Sequence, residues 1–112
     1  MADRTDRQAR LARLAQLGDA LQAAASREDW DRLGEQARTL LPALRKLAAQ
    51  GPWTASEHAA LERVVALHDA AAQSVASAAR ALEARLEEMR ANKDGWIAYA
   101  MYSETEPGVS QE

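Results

Sequence analysis

The sequence predicts an all-α protein, an up-down-up antiparallel helical bundle of three main helices with a long third helix and a polar C-terminal tail. Alanine, the best intrinsic helix former, supplies 27 of the 53 apolar residues in this 112-residue chain, whereas valine and isoleucine together supply five. Apolar side chains also recur in steps of three and four along three segments, as they do on one face of a helix. Because alanine has little surface to bury and phenylalanine is absent, we expect a thin core.

The first predicted helix runs from Arg4 to about Ala25. Its apolar stripe consists of Leu11, Leu14, Leu17, Leu21 and Ala24 or Ala25. Ser26 follows, and we expect its side-chain oxygen to accept hydrogen bonds from the free N–H groups that begin the second helix. Asp29, three residues later, completes a weaker form of the capping box.

The second predicted helix ends at Gly51-Pro52, a strong helix stop. Its apolar stripe consists of Trp30, Leu33, Ala37, Leu40, Leu44 and Leu47. Pro42 lies inside this stripe. Because proline lacks an N–H group and crowds the carbonyl four residues earlier, we expect a kink near residues 38–42.

The third helix opens with a better capping box, Thr54 to Glu57. Its stripe consists of Leu61, Val64, His68, Ala71, Val75, Ala78, Leu82, Leu86 and Met89. A helix over residues 55–90 would be about 54 Å long against about 33 Å for the first helix, so it must project or bend. Asn92 to Gly95 is the predicted weak point, followed by a short apolar cluster of Trp96, Ile97, Tyr99, Met101 and Tyr102.

The domain prediction is a single helical domain over residues 1–102 and a disordered acidic tail over residues 103–112, which contains Pro107 and Gly108. The net charge of −3 gives no general reason to bind nucleic acid. No apolar run is long enough for direct insertion into a membrane, and the N-terminus lacks a secretory signal. With no cysteine either, the chain is expected in the cytoplasm.

Catalytic, metal and cofactor sites are not expected, and neither is enzyme activity. His58 and His68 are about 15 Å apart along one helix and cannot share an ion. Glycine-rich phosphate loops and nucleophile elbows are absent from the sequence. Small helical mutases bind dicarboxylates with inward-facing arginines, but the arginine rows here avoid the apolar stripes, so we interpret most of them as a solvated charged face. These rows are Arg4, Arg7, Arg10 and Arg13 on the first helix, and Arg80, Arg85 and Arg90 on the third.

The distal part of the third helix is the candidate binding surface, because the two shorter helices cannot cover it. We name this surface the distal strip; it consists of Leu82, Leu86, Met89, Trp96, Ile97 and Tyr99. An exposed apolar strip usually marks a partner site, and a partner helix needs only anchors in steps of three and four. The same residues could instead pack against the first helix or against a second copy of the chain in a homodimer. Partner binding and self-association therefore both remain open.

Three features together resemble the FliT family of flagellar export chaperones, over about residues 10–102. An acidic-Trp-x-x-Leu-like segment, Glu28-Asp29-Trp30-Asp31-Arg32-Leu33, opens the second helix. A Gly51-Pro52 loop leads to the long third helix. That helix ends in Leu82-Glu-Ala-Arg-Leu86-Glu-Glu-Met89, a basic-polar stretch and Ala98-Tyr99, like the closing Ala-Tyr of the family.

The resemblance implies a cytosolic, non-enzymatic chaperone of flagellar type III export. Such proteins bind the C-terminal helical segment of the filament-cap protein FliD, prevent its premature assembly and deliver it to the export gate FlhA and the export ATPase. Some members also bind the flagellar transcriptional activator FlhDC. The position matching the gate-docking tyrosine is Tyr99, and its alternative role is a boundary aromatic that ends the third helix.

Two features depart from the family pattern. Pro42 interrupts the predicted second helix. Only Met101 and Tyr102 precede the polar tail, so we expect the fourth helix that folds over the binding surface in some members to be absent or much shortened. The alternative functions are a regulatory protein that restrains FlhDC and a structural helical protein that only self-associates.

Overall fold

The computed structural model describes residues 4–105, and within them it contains three α-helices and no strand. They are α1 (Arg4–Ser26), α2 (Trp30–Ala48) and α3 (Ala55–Thr105). The all-α prediction is therefore confirmed. The chain divides into two compact units, one that ends at Ala76 and one that begins at Ser77, and each is described by itself.

The turn between α1 and α2 corrects one prediction, because Ser26 is the last residue of α1 and not the cap of α2. Asp29 N–H donates to the Ala24 carbonyl (3.0 Å) and Glu28 N–H to the Ala25 carbonyl (3.1 Å), which is the Schellman pattern of a helix C-terminus. Glu28 has a left-handed φ of 56° at the position where this motif favours glycine. Asp29 caps α2 instead, since its Oδ1 accepts from Arg32 N–H at 3.3 Å.

Helix α2 continues through Pro42 without interruption and ends near the predicted stop. The kink stays a prediction. Gly51 follows with a φ of +132°, a value that L side chains rarely adopt, so the chain can turn there toward α3.

The start of α3 confirms the second capping box. Glu57 N–H donates to Thr54 Oγ1 (3.2 Å), and Thr54 N–H donates to Glu57 Oε1 (2.8 Å). This reciprocal pair satisfies two N–H groups that have no partner within the helix.

Arg10 corrects the interpretation of the arginine rows, because its guanidinium is buried and binds Glu57. Its Nε and Nη2 donate to the two carboxylate oxygens at 2.7 and 2.6 Å. Its remaining N–H groups donate to the carbonyls of Leu47 (3.0 Å), Gly51 (3.0 Å) and Pro52 (2.8 Å). The Trp53 ring covers the guanidinium, with its centroid 4.5 Å away. One side chain therefore joins α1 to the end of α2, the following loop and the start of α3.

This ion pair is electrostatically strong. The hydrogen bonds from Arg10 lower the pKa of the Glu57 carboxyl from 4.5 to about 2, against the opposing effect of burial. Both side chains are almost fully buried, so solvent screens the pair little. Removal of either partner would leave the other charge buried and unpaired.

The hydrophobic core of the first unit is small, as the alanine content predicts. Its buried cluster is continuous across the three helices, and Leu14 and Leu47 are also buried. The cluster consists of Leu21, Ala24, Leu33, Leu40, Val64 and Ala71. Gly18 allows close approach of α1 to α3, because a Cβ there would lie 2.9 Å from Leu67 Cδ1 and 3.0 Å from Arg63 Nη1.

The second unit consists of the remaining part of α3, from Ser77 to Thr105, and it corrects the predicted end of this helix. The helix does not end at Arg90 but continues through Asn92–Gly95. None of these four residues removes a backbone donor as proline would, and even Gly95 costs only about 1 kcal/mol relative to alanine. Residues 103–105 of the predicted tail are also helical, and residues 106–112 lie outside the described part.

Candidate partner-binding surface

The six residues of the distal strip are all exposed, and all lie in the second unit. Their exposed fractions range from 41% for Leu86 to 74% for Trp96. Large apolar side chains in a folded chain are more often shielded from water than this. The exposure that the helix lengths predict is thus observed, and partner binding by these residues stays a prediction.

The uninterrupted helix sets the geometry of the strip. At about 100° per residue, five of its six members lie within a sector of about 100° on one face of α3. Tyr99 lies about 60° further round the helix from Trp96 and forms the edge of this face. A break at residues 92–95 would have separated the two halves of the strip, so its continuity depends on the helix through Gly95.

Lys93 is a member of the apolar face that the sequence interpretation missed. It lies four residues after Met89 and three before Trp96, on the same sector of the helix. From the sequence, residues 92–95 are predicted only as a weak point, and Lys93 is not assigned to the face of the helix. A lysine in such a position can lay its aliphatic stem along apolar neighbours while its ammonium group reaches water.

Charged residues border the strip on both sides. Arg85 flanks it on one side, and Glu83 and Arg90 flank it on the other, all exposed. Arg90 Nη1 lies 3.7 Å from Glu87 Oε1, with both side chains 71% exposed. An exposed pair of this kind contributes little to stability, so Arg90 remains available to a partner.

The first unit has a second apolar surface, a groove between α2 and α3 of about 320 Å³. It is lined by Leu21, Trp30, Leu33, Gly34, Ala37, His68, Ala71, Ala72 and Val75. A neighbouring hollow of about 230 Å³ shares Ala37 and His68 with it and adds the exposed Leu41 and Val65. The apolar pattern of α2 did not predict this groove. Sequence periodicity predicts which face of a helix is apolar, but not how completely a third helix covers that face.

His68 and His58 do not form a metal site with other side chains in the described part of the chain. Within residues 4–105, no three potential ligands converge on one point. His68 Nδ1 lies 4.0 Å from Asp69 Oδ1. The Asp69 side chain is largely exposed and the His68 side chain is half-buried. Among the same residues, no helix is long and apolar enough to cross a membrane.

Comparison with known proteins adds no further constraint on the site. No family model, curated protein or solved structure matches the chain. The exposed apolar face and its borders are therefore the features of the chain that bear on function.

Proposed function

We propose that this protein is a cytoplasmic, non-enzymatic export chaperone of the flagellar type III system. It binds the C-terminal helical segment of the filament-cap protein FliD, prevents its premature assembly and delivers it to the export gate FlhA and the export ATPase. The observation that carries the proposal is the continuous exposed apolar face of α3, from Leu82 to Tyr99. The identity of the partner comes from the resemblance of the chain to the FliT family.

The mechanism is capture of one amphipathic helix by another. The partner lays its apolar face along the distal strip, so its anchors must recur in steps of three and four. Burial of about 600–800 Å² on each partner is enough for a specific complex that can still release. Trp96 and Tyr99 are the expected hot spots, because large aromatic side chains contribute most when they are desolvated in an interface.

In the first unit we propose that the helices run up-down-up, which holds the start of α3 in place. Three contacts support this direction. Arg10 near the start of α1 binds Glu57 near the start of α3, and Asp19 further along α1 accepts from Arg63 further along α3, at 2.9 Å. Arg10 also reaches the Leu47 carbonyl at the end of α2.

A binding titration tests the strip. A fluorescently labelled C-terminal segment of FliD is titrated with the full chain and with the double variant Leu86→Asp/Met89→Asp. We expect saturable binding to the unchanged protein and a loss of at least tenfold in affinity for the variant, since two charges would be desolvated.

The matched control is Ala84→Asp/Ala91→Asp, which adds the same charge on the opposite, exposed face of the helix. It should retain the affinity, and circular dichroism should show equal helix content in all three proteins. Equal loss of affinity in both double variants would refute the assignment to the strip. Loss of helix content in Leu86→Asp/Met89→Asp alone would assign those residues to a core.

Tyr99 permits a separate test of delivery. Its side chain is 68% exposed at the edge of the strip. If it docks the export gate, Tyr99→Ala should reduce capture of FlhA while FliD binding is retained. Loss of FliD binding alone would place it in the cap-protein interface instead.

A pull-down from motile cells separates the remaining functions. Recovery of FliD supports the export chaperone, and recovery of FlhDC without FliD supports the regulatory alternative. Recovery of the chain alone supports a structural protein that only self-associates.

A further inference from the structure

The apolar face of the second unit is interrupted by a positive charge. Lys93 lies between Met89 and Trp96 on the same sector of α3 as the distal strip, and its side chain is exposed. A partner helix that covers both Met89 and Trp96 must also cover the position of Lys93. The affinity of such a partner therefore depends on what it presents to the ammonium group.

Lys93 has no acidic neighbour at the facing positions of its own helix. These positions are three and four residues away on either side, and they hold Met89, Arg90, Trp96 and Ile97. Three of these residues are apolar, and the fourth carries the same charge as Lys93. Asp94 is adjacent in sequence, but it lies about 100° further round the helix. The ion pairs that the structure shows within residues 4–105 do not involve Lys93.

The three arginines of the second unit differ from Lys93 in this respect, because each has a carboxylate three or four residues away on the same helix. The possible pairs are Arg80 with Glu83, Arg85 with Glu88, and Arg90 with Glu87 or Asp94. Among the described residues of this unit, Lys93 is thus the one basic residue whose charge the helix does not itself neutralise. It is also the one that lies within the apolar face.

A purely apolar partner would fit this face poorly at one point. The Lys93 ammonium group would lose part of its water without gaining a partner, although its long stem can carry the charge toward the edge of the face. A carboxylate opposite Lys93 would replace that water with a charge-assisted hydrogen bond, and the apolar contacts around the pair would reduce screening by solvent. A basic residue there would add repulsion. Charge complementarity at this position therefore favours an acidic residue.

We propose that the distal strip recognises an amphipathic helix whose apolar face is interrupted by a single aspartate or glutamate, and that this carboxylate pairs with Lys93. The apolar anchors on either side of the acidic residue cover Met89 and Trp96, so the ion pair also fixes the register of the two helices. The apolar residues supply most of the affinity, and Lys93 discriminates between partners. The inference rests on the proposed capture function, because it states which helices the strip prefers.

Three synthetic helices test this preference. They share a leucine seam of about three heptads and differ only at the central seam position, which is Glu, Gln or Lys. Fluorescence anisotropy measures the binding of each labelled peptide to the full chain. We expect the Glu peptide to bind about tenfold more tightly than the Lys peptide, with the Gln peptide between them. The difference should shrink as the salt concentration rises.

Variants of the chain assign the preference to Lys93. Lys93→Glu should reverse the order of the three peptides, and Lys93→Met should remove the preference for the Glu peptide without adding a charge. Arg80→Glu is the matched control, because it makes the same charge change on the opposite, exposed face of α3; it should keep the original order. Circular dichroism should show equal helix content in all four proteins.

Several results would overturn the proposal. Equal affinity of the three peptides for the unchanged protein would mean that Lys93 directs its charge into water and does not discriminate. An order that Lys93→Glu leaves unchanged, an order that Arg80→Glu also reverses, or the failure of all three peptides to bind would count equally against it. None of these measurements contains FliD, so the titration of its C-terminal segment tests the capture function independently.

Discussion

The Arg10–Glu57 pair makes the stability of the first unit depend on pH in a defined way. Glu57→Gln keeps the size of the side chain but removes the charge, so the amide presents a donor to a guanidinium that has only donors. The Glu57 side chain is fully buried, and its pKa of about 2 lies well below 4.5. A shift of this size corresponds to roughly 3 kcal/mol of stability at neutral pH, within the range for loss of one partner in a buried ion pair.

The direction of the pH dependence of stability follows from the lowered pKa of Glu57. A carboxyl whose pKa falls on folding contributes its full stability above the unfolded value of 4.5, and the contribution is lost as pH falls toward 2. We therefore expect the difference in unfolding free energy between the unchanged protein and Glu57→Gln to be about 3 kcal/mol at pH 7. By pH 3 it should be less than half of that.

Urea denaturation followed by circular dichroism at several pH values measures this difference. Asp19→Asn is the matched control, because the Asp19–Arg63 pair has the same charges but is largely exposed; it should cost no more than about 0.5 kcal/mol at any pH. A Glu57→Gln cost that does not change between pH 7 and pH 3 would refute the electrostatic reasoning. So would a cost no larger than that of the control.

Three further predictions concern packing and helix ends. In thermal unfolding of the monomeric chain without a partner, Leu21→Ala should cost about 2–5 kcal/mol because Leu21 is 1% exposed, whereas Leu86→Ala should stay within about 0.5 kcal/mol. Equal costs would contradict the assigned burial. Glu28→Gly should stabilise the protein by about 0.5–1 kcal/mol, because glycine adopts the left-handed φ of this residue without the steric cost of a Cβ. Asp29→Ala should destabilise the protein by about 1 kcal/mol, because it removes the side chain that caps α2. Gly95→Ala should raise helix content and slow amide exchange around residue 95, since a Cβ there meets nothing within 4 Å; unchanged exchange would argue against a continuous helix.

Sequence periodicity predicted the helices because each apolar stripe is buried where another helix covers it. Leu14 and Leu21 on α1, Leu33 and Leu40 on α2, and Val64 on α3 are all buried. The helix ends were less predictable, since a side-chain oxygen and a backbone carbonyl can compete for the same backbone N–H group. Ser26 has a capping side chain, but the backbone bonds of the preceding turn make it part of α1.

The buried arginine shows a different limit of sequence reasoning. Arg10 follows a three-residue step with the other arginines of α1, which suggested a solvated row. It also lies four residues before Leu14, on the buried stripe, and that spacing was the available signal. The position of Glu57 in a capping box gave no reason to expect a second role, because its contact with Arg10 depends on how the helices pack.

The two units use apolar residues for different purposes. The first unit has a small core of leucine, valine and alanine, and the buried Arg10–Glu57 pair joins its helices. The second unit has large apolar side chains from Leu82 to Tyr99, and they are exposed. A helix with no packed apolar face has only its intrinsic propensity to hold it, which is marginal in water, so the helix beyond Ser77 should gain stability from whatever covers its strip. Hydrogen exchange in this segment should therefore slow when a partner or a second copy binds, while exchange in the first unit stays the same.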